Sequence, residues 1–296
     1  MGTTIKASAI SINAAASSLE LISQAATLCL EKAGMNKNDI DMLINIGIYH
    51  DDNMMEPAMA PIIHQQLGIN TGPVKKAGNY TFCFDLYNGA CGFINATQVA
   101  DSAITSGQAK HVLIVSGDTH PSKTQGHDFP FSPVGTAVLL NHSGDHDRGF
   151  KNFFINTSGN DYHGFRGGIE LSNMGAGGRG YIDLYQERRF INELCEFVDQ
   201  SSDEYFKEQT IAPEKISFLV TSQLDKDFSG HIHDAVGLNG TSKTVELYKQ
   251  YGDTHTSSLP LGYHQISENG ELQENDTILF VAAGSGLTAA FAMYTA

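Results

Sequence analysis

The feature that most constrains the fold is a regular alternation of short apolar runs with longer segments of helical periodicity. In the first half of the chain, apolar runs of strand length span residues 41–48, 80–85, 111–116 and 136–140. Apolar residues at three-and-four spacing predict helices over residues 17–33, 57–67 and 93–106. Buried strands that alternate with helices are typical of an α/β protein with mostly parallel sheets.

The second half repeats this plan. Helical patterns and strand-like runs follow one another at residues 183–207, 216–221, 229–237, 241–251 and 277–283. In corresponding positions, DMLINIGI matches ISFLVT, and HVLIVSGD matches TILFVAAGSG. The pattern predicts a duplicated α/β unit, with one half over residues 1–150 and the other over residues 151–296.

Charge and cysteine usage limit the possible partners and compartments. Acidic residues outnumber basic ones by 33 to 18, which gives a formal net charge of −15. Nucleic acid and anionic membrane surfaces attract basic faces, so we expect neither to bind this chain. The four cysteines show no paired spacing, and neither a signal peptide nor an apolar run of eighteen residues is apparent. We therefore expect a cytoplasmic protein with free thiols.

The stretch FDLYNGACGF, residues 84–93, contains the first candidate for chemistry. An apolar run ends at Asp85, a small-residue turn follows, and a helical pattern begins directly after Cys91. Some acyl-transfer enzymes place their nucleophile on such a strand-to-helix turn, where the helix dipole would lower the pKa of the thiol. The competing interpretation is a buried thiol that only packs.

The turn GDTHTSS, residues 252–258, contains the second candidate. His255 is predicted to act as the base for Cys91, and Asp253 is predicted to orient the His255 ring. The alternative is that His255 only binds a backbone carbonyl.

No metal site is predicted from the remaining histidines. The pair His231 and His233 and the pair Asp118 and His120 each lack a complete ligand set. We expect these four residues to lie on solvated surface.

Five motifs, taken in order, resemble the thiolase-fold condensing enzymes, in particular their ketoacyl synthase III branch. The motifs are FDLYNGACGF, HVLIVSGDTHPS, FSPVGTAVLL, GDTHTSS followed by LPLGYH, and GSGLT. The resemblance runs from about Ser17 to the C-terminus. It implies a five-layered α/β/α/β/α fold of two similar halves, usually dimeric. It also implies a Cys that takes an acyl group from a thioester, with a His and an Asn assisting transfer to a second substrate.

The chain departs from that family at all three catalytic positions. In the ungapped register the family's Cys falls on Ala90, although the flanking glycines could allow a slip that places Cys91 at the tip of the turn. Ser222 stands where the family has its His, and Asp253 stands where it has its Asn. Ala90 and Ser222 are therefore expected as neighbours of the site.

The residues present predict a rebuilt catalytic set of Cys91, His255 and Asp253, in which the His comes from a different loop than in the family. The predicted oxyanion donors are backbone N–H groups at Cys91 and Ser285. The leading hypothesis is an acyltransferase or condensing enzyme of fatty acid, polyketide or other secondary-metabolite biosynthesis. Its substrate would be an acyl-CoA or acyl-carrier-protein thioester, and no cofactor is expected.

The alternative hypothesis is a non-catalytic subunit that pairs with an active condensing enzyme, and a weaker one is a hydrolase that transfers the acyl group to water. The expected assembly is a homodimer or a heterodimer with a related condensing enzyme. The Gly-rich residues 159–180 are predicted to form either a cap between the halves or a surface loop.

Overall fold

Two five-stranded sheets form the framework of the protein. The computed structural model describes residues 2–72, 80–121, 129–159, 164–169, 182–209, 211–238, 240 and 242–296. In spatial order, the first sheet contains Gly2–Ile12 (β1), Val134–Ser143 (β5), His111–Gly117 (β4), Met42–Asn45 (β2) and Phe82–Asp85 (β3). The second contains, in the same spatial order, Gly149–Thr157 (β6), Thr288–Thr295 (β12), Thr277–Gly284 (β11), Phe218–Thr221 (β9) and Lys243–Thr244 (β10).

The two sheets share one topology, which confirms the predicted duplication. In the first sheet β2 runs parallel to β3 and β4, while β5 runs antiparallel to β4 and β1. In the second sheet β9 runs parallel to β10 and β11, while β12 runs antiparallel to β11 and β6. The expectation of mostly parallel sheets is therefore wrong, because β4 and β11 each return directly into an antiparallel neighbour.

Helices separate and cover the sheets in five layers. Gly92–Thr105 (α3) and Ser258–Glu268 (α7) lie between the two sheets, in one apolar core shared by both. Ser18–Lys32 (α1) and Met59–Leu67 (α2) cover the outer face of the first sheet. Phe190–Gln209 (α4) and Phe228–Ala235 (α5) cover the outer face of the second sheet. The α/β/α/β/α architecture is thus confirmed.

Local sequence signals fix several of these elements. Helix α1 begins after Ser17, whose side chain accepts a hydrogen bond from the Glu20 backbone, while the Glu20 carboxylate accepts one from Ser17. Such a capping box satisfies two backbone donors and stabilises the helix by about 1 kcal/mol. Helix α3 begins at Gly92, where a Cβ atom would lie only 3.3 Å from the Ile46 side chain. The glycine therefore allows α3 to approach the first sheet closely.

Three helix predictions need correction. Residues 183–207 form a short strand, Asp183–Gln186 (β8), before α4, because the strand pairs with Phe165–Gly168 (β7) in an antiparallel hairpin. Residues 241–251 contain β10 and only a four-residue helix, Tyr248–Tyr251 (α6). Helix α2 begins at Met59 rather than at Pro57. Periodicity alone did not distinguish these short elements from longer helices.

The Gly-rich segment 159–180 is only partly described. Residue 159 and residues 164–169 belong to the described part, and the latter contain β7. The rest of the predicted cap lies outside the described residues. Among the helices that the structure describes, none is both long and apolar enough to cross a membrane.

Candidate active site

The first turn of the site joins β3 to α3 and comprises the 3₁₀ turn Gly89–Cys91. Gly89 has a positive φ of 50°, a conformation that glycine adopts without steric cost. Ala90 lines an inner cavity, whereas Cys91 does not contribute to its lining. The ungapped register therefore describes the turn, with Ala90 rather than Cys91 facing the cavity.

The Cys91 thiol lies in the core. The residue is fully buried among apolar side chains of both sheets, and its Sγ lies 3.6 Å from the Thr288 carbonyl oxygen. Burial raises the pKa of the Cys91 thiol to about 12, opposite to the lowering that its place at a helix start predicted. The Cys91 backbone N–H, a predicted oxyanion donor, is bonded instead to the Asn88 carbonyl at 3.0 Å.

The second turn of the site is the 3₁₀ turn His255–Ser257, which precedes α7. His255 has a positive φ of 49°, a conformation that is uncommon outside glycine and often marks a functional site. Its imidazole stacks on the Phe131 ring, with ring centroids 4.2 Å apart. A Cβ atom built on Gly89 would lie 3.5 Å from His255 Nε2, so the imidazole faces the first turn.

Asp118, rather than Asp253, holds the imidazole. His255 Nδ1 donates to Asp118 Oδ2 at 2.8 Å, which leaves Nε2 as the unprotonated nitrogen in the neutral ring. Asp253 instead accepts a hydrogen bond from the His255 backbone N–H at 2.7 Å. Asp253 therefore holds the main chain of His255 rather than its ring, and Asp118 fixes the tautomer of the ring.

Asp118 is buried and fully engaged, which corrects its predicted place on solvated surface. Its Oδ1 accepts from the backbone N–H groups of Ile48 and Tyr49, and its Oδ2 also accepts from the Thr256 hydroxyl at 2.6 Å. Burial alone would raise the pKa of this carboxyl, but the charge and hydrogen bond of His255, together with the other donors, lower it. The side chain is thus an ionised anchor for the ring.

The pKa values of His255 and Asp253 are shifted by the same surroundings. Burial favours the neutral imidazole, but the charge and hydrogen bond of Asp118 outweigh it and raise the His255 pKa above its ordinary value. Burial raises the pKa of Asp253 to about 6, although nearby His255 partly opposes this. The pKa values of both groups are therefore raised above their ordinary values, which is common where side chains take part in catalysis.

Two hollows meet at His255. The inner cavity, of about 140 Å³, is lined by apolar side chains that include Phe131, Phe165 and Leu224. An outer cleft of about 1050 Å³ has the size of a small-molecule site, and its lining includes Tyr49 and Tyr87. Both linings include Gly89, Phe165, His255 and Ser285. His255 thus lies where the cleft enters the inner cavity.

The other predicted residues divide between the cavity and the core. Asp253 and Ser285 line the inner cavity. Ser222 is buried and exchanges hydrogen bonds with the Ala283 backbone, so it contributes to the second sheet rather than to the cavity. Of the described His, Cys, Asp and Glu side chains, no three are grouped to hold a metal ion.

A polar network lies in the outer cleft. The Tyr87 hydroxyl donates to Asp85 Oδ2 at 2.6 Å and lies 2.7 Å from His50 Nε2. Asp85 also accepts from the backbone N–H groups of Met59 and Ala60 at the start of α2. The network fixes the cleft wall beside the first turn.

One feature of the sequence could have indicated that Asp118 belongs to the site. Asp118 directly follows β4, and polar side chains after neighbouring parallel strands meet at one edge of a sheet. The partner of Asp118 lies 137 residues further along the chain, however, so no local motif joins them.

Family models match both halves of the chain. The model described as 3-oxoacyl-[acyl-carrier-protein] synthase III matches residues 84–159, and the model of its C-terminal part matches residues 206–295. Together they cover more than half of the chain.

Similar proteins carry the same description. A beta-ketoacyl-[acyl-carrier-protein] synthase III of Rickettsia akari is 25% identical over 271 residues, which cover 90% of this chain and 80% of that protein. One of Clostridium perfringens is 26% identical over 279 residues, 91% of this chain and 82% of that protein.

Solved structures share the fold. The 3-oxoacyl-(acyl carrier protein) synthase III of Pseudomonas aeruginosa has a TM-score of 0.82 at 17% identity, covering 100% of this chain and 98% of that one. OleA of Xanthomonas campestris, solved with lauric acid and lauroyl-CoA, has a TM-score of 0.80 at 16% identity, covering 100% of this chain and 99% of that one.

Proposed function

The chain belongs to the 3-oxoacyl-[acyl-carrier-protein] synthase III family of thiolase-fold condensing acyltransferases, and on that premise we propose that it transfers an acyl group from a thioester to an acceptor. The donor is an acyl-CoA or an acyl carrier protein, and the pathway is fatty acid, polyketide or other secondary-metabolite biosynthesis. The single observation that carries the proposal is His255, held by Asp118 at the point where the cleft meets the inner cavity.

The surrounding residues have roles that suit thioester chemistry. His255 Nε2 acts as the base, and Asp253 holds the His255 backbone in its strained conformation. A Cβ atom on Gly284 would lie 3.7 Å from the Ala90 nitrogen, so the backbone N–H groups near Ala90 and Ser285 are the proposed donors to the thioester oxyanion. Arg166 lines the outer cleft and offers a positive charge to a phosphate-bearing donor.

Acylation of Cys91 stays a prediction. To receive an acyl group, the thiol would have to leave the apolar core, because burial there raises its pKa to about 12. The four cysteines are free thiols, which supports the proposed cytoplasmic location.

The proposed assembly is a dimer formed along β3. This strand lies at the edge of the first sheet, and the aromatic side chains of Tyr80, Phe82 and Tyr87 on and beside it are half or more exposed. An open strand edge with apolar side chains is suited to pairing with another chain, and the proposed occupant is a second copy. Light scattering of the wild type should give a dimer mass, and Phe82→Asp should shift it toward the monomer.

The experiment that tests acyl transfer is a thiol-release assay with acetyl-, hexanoyl- and lauroyl-CoA, each with a primary alcohol, a primary amine or no acceptor. We expect CoA release by the wild type that depends on His255. Absence of CoA release by a folded wild-type chain across this panel would overturn the proposal. That result would instead support the hypothesis of a non-catalytic subunit, which the similarity to enzymes does not favour.

A further inference from the structure

The tip of the first turn has no nucleophile. Ala90 presents a methyl group to the inner cavity, and none of the described residues that line this cavity or the outer cleft carries a thiol. A covalent route through a cysteine therefore has no group in the place where the thioester would lie.

The surroundings of Cys91 resemble those of Cys29, a second buried cysteine of the same molecule. Cys29, on α1, is fully buried, and its Sγ lies 3.4 Å from the Ala7 carbonyl oxygen. Cys91 is equally buried, and its Sγ lies 3.6 Å from the Thr288 carbonyl oxygen. Burial raises the pKa of both thiols to about 12. Cys29 lies in the core between α1 and the first sheet, in a different apolar cluster from that of Cys91, and is thus a matched reference for a thiol that only packs.

His255 is arranged to act as a base, although none of the described residues that line the two cavities offers it a nucleophile. Asp118 accepts a hydrogen bond from Nδ1–H, so the Nε2 lone pair is directed away from Asp118 toward the first turn. Ser285 also lines both hollows, but among the hydrogen bonds of the described residues none joins its hydroxyl to His255. A nucleophile that the base activates should lie within hydrogen-bond reach of it.

We propose that this site transfers the acyl group directly from the thioester to an alcohol or amine acceptor, with His255 as general base, Asp118 as its positioning residue and no acyl-enzyme. The inference rests on the proposed acyl-transfer function and specifies its acceptor class and route. Condensation with a decarboxylating acceptor would rely on the His of the family, and it is not supported here. Ser222 stands in place of that His, and its hydroxyl is hydrogen-bonded to the Ala283 backbone.

The step balances without a cofactor. The acceptor O–H or N–H gives its proton to His255 Nε2 as its oxygen or nitrogen attacks the thioester carbonyl. The tetrahedral oxyanion collapses, and the carbon–sulfur bond breaks. The leaving thiolate takes the proton back from the imidazolium, so an ester or amide and free CoA leave together and His255 is again neutral.

The first test is kinetic. With acyl-CoA and acceptor both varied, a ternary complex predicts intersecting double-reciprocal lines, and intact mass should show no acyl adduct on the wild type. Cys91→Ala should retain kcat/KM to the same extent as the matched Cys29→Ala. Parallel lines, an adduct mapped to Cys91 or Ser285, or selective inactivation by Cys91→Ala would overturn direct transfer while leaving acyl transfer itself intact.

The second test addresses Asp118 through the pH profile. Among the described residues, the titratable groups that face His255 are Asp118, Asp253 and Tyr49. Asp118 raises the His255 pKa, and the base is active only above that pKa. Asp118→Asn should therefore move the pH midpoint of kcat downward and, because it favours the wrong tautomer, lower the plateau about 10²- to 10⁴-fold.

A second variant keeps this test decisive if Asp118→Asn does not fold. Thr256→Val removes a hydrogen bond to Asp118 Oδ2 and leaves the carboxylate freer to bind the His255 ring. Its pH midpoint should move upward, opposite to that of Asp118→Asn. A purely structural role for Asp118 would lower kcat in either variant with no movement of the midpoint, and that result would overturn the positioning role.

Discussion

Each half of the molecule contributes a 3₁₀ turn to the same inner cavity, but the two turns carry different side chains. Gly89–Cys91 and His255–Ser257 are both 3₁₀ turns that lead directly into a buried middle-layer helix. Their first residues have almost the same positive φ, 50° at Gly89 and 49° at His255. At the first turn that position is a glycine without a side chain, and at the second it is His255, the proposed base.

The difference shows how a duplicated fold can place its chemistry in either half. The third residue of each turn is buried, Cys91 beside the Thr288 carbonyl and Ser257 hydrogen-bonded to the Val134 carbonyl and to Ser116. Equivalent positions thus have equivalent burial, whatever the residue. At the second turn, a buried carboxylate, Asp118, is hydrogen-bonded to the side chain of the first residue, whereas glycine at the first turn has no side chain to hold.

The largest effect is expected from adding a nucleophile to the first turn. Ala90→Cys would place a thiol in the inner cavity at the start of α3, where the helix dipole lowers a thiol pKa. Intact mass after incubation with acyl-CoA should change from no adduct to about one acyl group per chain. A donor that the wild type turns over, yet that leaves Ala90→Cys unmodified, would show that Ala90 does not face the thioester.

Removing the base from the second turn should have the next largest effect. His255→Ala eliminates the group at the junction of cleft and cavity, and general bases contribute about 10²- to 10⁴-fold to rate. The measurement is kcat for CoA release with a fixed acceptor, with circular dichroism as the check on folding. Activity within threefold of the wild type would place the chemistry elsewhere.

Cys91 should affect stability more than chemistry. Cys91→Ser puts a hydroxyl into the apolar core between the sheets and should lower the free energy of unfolding by about 1 to 3 kcal/mol. Cys29→Ser, in the core under α1, should cost a similar amount in the same urea titration. A Cys91→Ser variant that is as stable as wild type but inactive would instead identify a reactive thiol.

The smallest effect tests the strain at the first turn. Gly89→Ala forces an alanine into a positive φ and should cost about 1 to 2 kcal/mol of unfolding free energy. Gly107→Ala is the matched control, because Gly107 also has a positive φ but has nothing within 4 Å of a Cβ position. Equal stability losses with activity reduced only in Gly89→Ala would confirm that Gly89 faces His255. Activity losses of equal size would contradict it.

Much of the fold could be predicted because its signals are local. The helix after Ser17, the strands β4 and β11, and the correspondence of the halves all follow from periodicity and capping residues. The hairpin of β7 and β8 could not be recovered in this way. Its strands are four residues each, and their pairing depends on a contact between distant segments.

The sequence by itself determined the duplicated architecture, the two turns and the presence of His255 and Asp253 beside the cavity. It could not decide between Ala90 and Cys91, because the direction of neighbouring side chains in a turn depends on the φ of Gly89 and on packing against α3 and β12. Nor could it join Asp118 to His255 across 137 residues. Only the docking of the two halves brings that carboxylate behind the imidazole, and that contact supports the proposed role of His255 as a base.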